Sequence, residues 1–381
     1  MPYADHLVLR NVWVASFVLS FSLLGDALLY VILPVHADAF GVSLAMVGFL
    51  LAINRIIRTF AYGFIADLAE RIGLKKLCLI AATTAVLSTL GYTLLNGAVW
   101  LSLSRVMWGL SYAALLLITL SYAAINPQKT GTRIGLSRSV EQIGPLFAMT
   151  VGAWLATLVG PKTVFGYLAI VSGLAVLLAF FLFEKAQPKT IKRPAKRDRL
   201  FPRPDSLDAL IFWMGAGIDG VFTLSISLMW AQQVSIELAI LIGGSILAAR
   251  RLSEMLVVPF AGVTADRFGT RLPLTCAIIT SICGFVLVGF SWLMLGSCLL
   301  IMARGALGTL FAAAVAKIYQ DSKITALARN QTWRDIGAAA GPLVAGAALT
   351  IVSPELLHLG LAVAFTGAFL WFLRSPGWRI L

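Results

Sequence analysis

Ala66-Asp67-Leu68-Ala69-Glu70-Arg71-Ile72-Gly73-Leu74-Lys75 returns 196 positions later, little changed, as Gly262-Val263-Thr264-Ala265-Asp266-Arg267-Phe268-Gly269-Thr270-Arg271. Each copy is a short acid-base-glycine turn that follows one long apolar run and precedes another. A turn of this kind, present once in each half, marks a duplicated chain, and internal repeats are a common way of building membrane-embedded folds.

The composition supports a membrane setting. Of 381 residues, 59% are apolar and 12% are charged, against about 45–50% and about 25% in ordinary globular domains. Apolar runs fall near 12–34, 44–65, 77–95, 98–122, 140–159, 164–183, 207–230, 236–258, 272–292, 296–316, 331–351 and 357–373. Runs of about 20 residues are long enough to cross a ~30 Å hydrocarbon core as helices, so the expected fold is an all-α membrane protein with twelve transmembrane helices. Ala37-Asp38-Ala39 has the look of a signal-peptidase site. The run before it exceeds the about 7–15 residues of a signal core, and another span follows at once, so a retained first helix is expected.

The net charge of +13 would suit a nucleic-acid binder, but its placement does not. With a cytoplasmic amino terminus, Arg55, Arg58, Arg105, Arg250, Arg251 and Arg304 lie inside spans and Lys162 alone lies outside. The other 23 of the 30 basic residues then face the cytoplasm. That asymmetry follows the positive-inside rule and predicts both termini in the cytoplasm; a bacterial inner (plasma) membrane is the expected location. The basic loops also suit anionic lipid headgroups. Cys78, Cys276, Cys283 and Cys298 sit in apolar runs without metal-ligand spacing and read as small hydrophobes in helix packing. His6, His36 and His358 lie near a terminus or an outer loop. No metal centre and no cofactor are expected.

Residues 184–206 hold eight basic residues between Lys185 and Arg203 and four prolines, the composition of a basic cytoplasmic linker. They separate a six-span half, residues 1–183, from a second, residues 207–381. The halves correspond at near-constant offsets. Arg105-x-x-x-Gly109 matches Arg304-x-x-x-Gly308 at 199, Gly144-Pro145 matches Gly341-Pro342 at 197, and Asp26 matches Asp219 at 193. An even number of spans in each half makes the repeats parallel, related by an axis along the membrane normal.

On these motifs the chain resembles the major facilitator superfamily over essentially its whole length. That family's loop signature, Gly-x-Leu-Ala-Asp-Arg-x-Gly-Arg-Lys, is matched well by Gly262 to Arg271. The first copy departs from it, with Ala66 for the leading Gly, Glu70 for the Asp and Leu74 for a basic residue. Ungapped alignment of the copies puts Glu70, not Asp67, opposite Asp266. The resemblance implies two pseudo-symmetric six-helix bundles rocking about a central cavity.

Within the loop motif, Glu70 and Asp266 are placed to pair with basic groups or cap a neighbouring helix, and Arg71 and Arg267 to bridge to the adjacent span; Gly73, Lys75, Gly262, Gly269 and Arg271 complete the expected gating motif. Breaking such a cluster biases two bundle arrangements; simple topological anchoring is the plainer alternative. Asp26, in Leu24-Gly25-Asp26-Ala27-Leu28, is the sharpest single candidate. A charge at that depth costs about 2.5–3.5 kcal/mol on insertion scales, so it needs a cavity or a partner. Counting from the membrane faces puts Arg55 at a similar depth, with Arg58 a turn towards the cytoplasm. An Asp26–Arg55 pair opening on protonation would couple a proton to transport; a static ion pair is the alternative.

Asp219, among Gly215, Gly217 and Gly220, is a second candidate. Arg250 and Glu254 stand at i, i+4 and can neutralise each other, leaving Arg251 as the freer cavity residue. Arg105 resembles the family's fourth-span arginine, which the resemblance associates with proton transfer, and Arg304 is its counterpart. Glu141, Gln142, Arg334 and Asp335 are polar residues of the cavity or of the interface. Gly337, Gly341, Pro342 and Gly346 resemble the superfamily's span-five exporter motif, although the fuller copy is here in span eleven and span five keeps only Gly144-Pro145. Small residues at this spacing also serve plain helix packing, and proline permits a kink.

The reading is a secondary active transporter working by alternating access. It moves a small amphipathic organic compound (a metabolite, siderophore or drug-like molecule) outward with proton coupling, as a monomer in the bilayer and without nucleic acid. Proton-coupled uptake of a small organic solute is the alternative. A non-transporting receptor or scaffold would not need so many intramembrane charges. No nucleotide loop, paired-histidine motif or nucleophile with a base marks an enzyme.

Overall fold

The structure is a computed structural model that describes residues 5–33, 36–125, 129–183, 203–349 and 351–381. The linker expected at 184–206 lies almost wholly outside the described residues. Every regular element among them is helical, and none is a strand. In chain order the helices are α1 (Asp5–Ser22), α2 (Leu24–Ile32), α3 (Leu44–Ile72), α4 (Leu74–Leu94), α5 (Ala98–Ala123), α6 (Thr130–Glu141), α7 (Ile143–Phe147), α8 (Ala153–Val159), α9 (Thr163–Phe180), α10 (Ser206–Met214), α11 (Thr223–Trp230), α12 (Ile236–Phe268), α13 (Arg271–Gly289), α14 (Leu293–Ile318), α15 (Lys323–Ala348), α16 (Pro354–Leu373) and α17 (Pro376–Ile380).

Ten helical stretches among the described residues are long and apolar enough to cross a membrane. They coincide with ten of the twelve expected spans. The remaining two, the eighth and eleventh, fall in α12 and α15. These helices are 33 and 26 residues long and carry Arg250, Arg251 and Glu254, and Arg329, Arg334 and Asp335. Several helices run well past the apolar runs that announced them. The fifth span begins at Thr130 rather than near 140, and α3 ends at Ile72 rather than 65. Helical backbone satisfies its own hydrogen bonds, so it continues past the hydrocarbon edge until something stops it.

What stops α3 and α12 is the repeated motif. Its acids and first arginines are not in loops but on the last helical turns, and Gly73 (φ 86°) and Gly269 (φ 78°) end the helices in a backbone conformation that only glycine adopts readily.

The chain divides into two compact units. One comprises Met1–Ile125 with Val140–Pro202, and the other Asn126–Ser139 with Arg203–Leu381. The first ten residues of α6 thus pack with the second unit. In the first unit α5 lies against α3 and α4, and α4 also against α9. Its core gathers Leu28, Phe40, Tyr92 and Phe165, with Phe165 edge-on to both other rings. In the second unit α13 packs on α14 and α16, and α14 on α12. Much of the outer surface is apolar: Phe64, Trp154, Ile170, Phe260 and Val363 are more than half exposed. Patches of this extent are out of place in water and fit a lipid surround.

Two spans are irregular at matching places. The first is interrupted at Leu23, between α1 and α2, and the seventh is a π-helix from Gly215 to Phe222 between α10 and α11. Asp26 lies three residues past the interruption, and Asp219 lies inside the π-helix. A second π-helix, Ala148–Gly152, follows α7 in the fifth span. Such wide turns inside spans are frequent at functional sites.

Candidate functional site

In the first unit the acid and the base that meet are Asp26 and Arg105. Arg105 is fully buried, and one of its terminal nitrogens pairs with Asp26 Oδ1. Its other donors are also taken. Nε donates to the Leu50 carbonyl at 2.8 Å, Nη2 to the Leu51 carbonyl at 3.3 Å and to the Tyr30 hydroxyl at 3.4 Å, and Nη1 reaches the Tyr92 hydroxyl at 3.5 Å. All five N–H groups therefore have a partner, as a buried guanidinium requires. Asn54 donates to the same Asp26 oxygen at 3.5 Å. Asp26 Oδ2 takes no hydrogen bond among the described residues.

The expected partner of Asp26 was Arg55, and here the structure differs. A helix turns about 100° per residue, so equal depth does not mean the same face. Asn54 is turned to Asp26, whereas Arg55, half-buried, makes no ion pair among the described residues. Arg58 is buried and stacks over the Tyr112 ring at 4.5 Å, and Tyr112 donates to Glu141 at 3.4 Å. Glu141 and Gln142 are both buried within the protein. The Arg105-x-x-x-Gly109 spacing has a visible purpose. A Cβ on Gly109 would stand 2.8 Å from the Asn54 carbonyl oxygen, so only glycine lets α3 approach closely enough to aim Asn54.

The second unit repeats the pairing with more charge. Arg304 grips Asp219 side-on, Nε to Oδ1 at 2.6 Å and Nη2 to Oδ2 at 3.0 Å. Arg250 reaches the same Oδ1 at 2.7 Å while also contacting Glu254 at 3.3 Å and donating to the Thr223 hydroxyl at 3.4 Å. The expected Arg250–Glu254 pair is present, but Arg250 serves Asp219 too. Arg251 lies 3.9 Å from Glu254 with 46% of its side chain exposed. Arg334 binds the neighbouring Asp335 at 2.9 Å.

At the loop motif, Asp266 accepts from the backbone N–H of Gly131 (2.9 Å) and of Thr132 (2.7 Å), which caps the start of α6. Free N–H groups and the helix dipole both favour a carboxylate there. A Cβ on Gly131 or Gly262 would run into the other helix's backbone, so these two glycines set the close approach. Arg271 stacks on Trp378 at 4.1 Å, and Arg267 is exposed. In the first copy Glu70 and Arg71 are exposed, Gly73 and Lys75 are half-buried, and Asp67 is more sheltered than Glu70. Glu70 makes no hydrogen bond or ion pair among the described residues.

The small-residue motif lies between α15 and the seventh span. Cβ atoms on Gly337 and Gly341 would meet the Phe212 and Ala216 carbonyls, and one on Gly220 would stand 2.7 Å from Gly341 Cα and 2.9 Å from Pro342 Cδ. Gly346 lies further along α15. In the fifth span Gly144 approaches the Ser20 backbone, and its N–H donates to the Ser20 hydroxyl at 2.8 Å; Pro145 follows, buried.

Several participants carried no motif. Asn54 reaches Asp26, and Tyr30 and Tyr92 accept from Arg105; Tyr30 is i+4 from Asp26 on one helix face, a spacing the sequence does display. Asp205 and Asp208 form a capping box at the start of α10 and share Arg329, with Asn330 donating to Asp208 at 3.1 Å and Tyr319 to Asp205. The Asp-Ser-x-Asp pattern before an apolar run was the available signal. His358, expected near an outer loop, is fully buried against Phe222 and Phe285. Of the cysteines only Cys78 is buried; Cys276, Cys283 and Cys298 are exposed on the apolar surface.

These features define a polytopic helical membrane protein whose first and seventh spans each carry an acid held by an arginine of the fourth and tenth. A family model for the Major Facilitator Superfamily matches residues 15–249, and the chain belongs to that family. Among solved structures it is similar to the human organic anion transporter MFSD10 (TETRAN), 16% identical with a TM-score of 0.76 over 95% of this chain and 98% of that one. It is also similar to the proton:xylose symporter XylE bound to 6-bromo-6-deoxy-D-glucose, 14% identical with a TM-score of 0.74 over 98% and 96%. At these identities the likeness is one of fold. No curated protein matches the chain. The family and both neighbours are transporters rather than enzymes, so this chain is a multi-pass membrane transporter of a small-molecule substrate.

Proposed function

We propose that the chain is a proton-coupled secondary transporter working by alternating access, that Asp26 is its proton-carrying group, and that it exports a small amphipathic organic compound. The observation that carries the reading is the half-open state of Asp26. One oxygen holds Arg105 and Asn54, the other has no partner among the described residues, and the side chain keeps 14% of its surface exposed. A carboxylate so placed can take a proton on Oδ2 while Oδ1 stays anchored, and protonation then removes the charge that balances Arg105. Asp219 offers no such opening, since guanidinium groups occupy both of its oxygens. The twelve-span topology, with both termini in the cytoplasm of a bacterial inner membrane and a monomer as the working unit, belongs to the same proposal.

Coupling through Asp26 serves either direction, because the gradients set the sign of net movement. Proton-coupled uptake therefore uses the same pair. The test is proton movement in proteoliposomes with a panel of amphipathic solutes, wild type beside Asp26→Asn. Solute-dependent proton flux that disappears in folded Asp26→Asn is expected, with outward solute movement against inward protons. Flux of equal size in the variant would remove Asp26 from the coupling step, and co-directional movement would favour uptake.

A further inference from the structure

The second unit has a feature that the Asp26 pair lacks: two arginines converge on one carboxylate and engage both of its oxygens. Arg304 presents its fork side-on to Asp219, at 2.6 and 3.0 Å, and Arg250 closes on Oδ1 from another helix at 2.7 Å. A planar carboxylate held side-on by a guanidinium fork is the strongest and most geometrically selective form of anion recognition that side chains provide. Further polar groups stand beside the arginines. The Thr223 hydroxyl and Glu254 fix Arg250, and Arg251 adds a third guanidinium beside Glu254. The three central side chains retain 10–17% of their surface exposed. Asp219 is carried on the π-helix from Gly215 to Phe222, a wide turn with the slack to let one side chain swing aside.

We propose that this cradle is a substrate subsite for a carboxylate, and that Asp219 is its internal stand-in. A solute bearing a carboxylate displaces Asp219 from Arg250 and Arg304 and takes over its hydrogen bonds. The exchange keeps a counter-charge on both guanidinium groups; the displaced Asp219 carboxylate, costly to leave bare and charged inside a span, is hydrated or protonated once released. The inference rests on the transport reading above and narrows its substrate to an organic anion with an apolar body.

The test uses the full chain, purified in nanodiscs, with 2-naphthoate and its neutral isostere 2-naphthamide as probes, read by tryptophan fluorescence titration. Naphthoate is expected to bind at least roughly tenfold tighter than naphthamide, the advantage of a charge-assisted bidentate contact. Asp219→Asn removes the competitor and should tighten naphthoate severalfold without altering naphthamide. Arg304→Lys keeps the charge but loses the fork, and should weaken naphthoate by roughly tenfold. Equal binding of the two probes to the wild type overturns the proposal, and so does Asp219→Asn weakening naphthoate in step with Arg304→Lys. If Asp219→Asn does not fold, the probe comparison in wild type and Arg304→Lys decides alone. Carboxylate selectivity in a protein that moves no solute would sink the transport reading and leave the subsite. Proton-coupled flux of solutes without any carboxylate preference would do the reverse.

Discussion

Arg105 and Asp26 form a pair in which each partner has a different task. Arg105 is completely buried with every N–H engaged, so it acts as a fixed cation around which the first unit is packed. Removing it leaves Asp26 without its counter-charge and takes a side-chain donor from the Leu50 and Leu51 carbonyls. Arg105→Met is therefore expected to destabilise the protein by about 3–5 kcal/mol, whereas Asp26→Asn, which keeps a hydrogen-bond acceptor in place, should cost far less. Thermal unfolding in detergent checks the difference; equal losses would mean that Arg105 contributes nothing beyond its partner. The sequence made both residues visible, because a charge inside an apolar run stands out. It could not pair them. Arg55 and Arg105 are both at plausible depths, and the choice depends on which face of α3 turns inward, which the close contact at Gly109 decides.

At the scale of elements, two glycine-mediated contacts bind helices that the sequence keeps far apart. Along α15, Gly337 and Gly341 rest on the carbonyls of the seventh span, next to the π-helix that carries Asp219. Backbone cannot yield as a side chain can, so Gly341→Leu is expected to cost about 1–3 kcal/mol through overpacking. It should also disturb Asp219, lowering the unfolding temperature and changing solute affinity together. An unchanged unfolding temperature would contradict the contact. The other junction is Asp266 on the start of α6. Asp266→Ala removes a cap with a value of about 0.5–2 kcal/mol and is expected to slow turnover more than it weakens substrate affinity, as a comparison of kcat with KM in transport assays would reveal. A loss confined to affinity would argue against a role in switching. The repeat announced this acid, and the apolar run announced a fifth span beginning near residue 140. The helix from Thr130 that Asp266 caps was hidden, because residues 130–139 are too polar to register as part of a span, although Gly131-x-x-x-Gly135 offered a small-residue stripe.

For the whole molecule, the positive-inside asymmetry makes a prediction independent of any substrate. In a cysteine-free background, His6→Cys and Ser375→Cys are expected to react with a membrane-impermeant maleimide only after the membrane is opened, and Lys162→Cys to react from outside at once. Labelling of the first two from opposite sides would break the even count of spans and the parallel repeat with it. Composition, the apolar runs and the duplicated motif determined by themselves that the chain is helical, membrane-embedded and built of two related halves. They could do so because lipid forces every backbone polar group to be satisfied within its own helix, and that constraint is written locally. Tertiary structure alone decided that Asp26 belongs to Arg105, that Asp219 is shared by Arg304 and Arg250, and that Asp266 caps α6. These contacts join residues between 31 and 135 positions apart, and helix rotation and close packing, which no short stretch of sequence encodes, choose among equally charged neighbours.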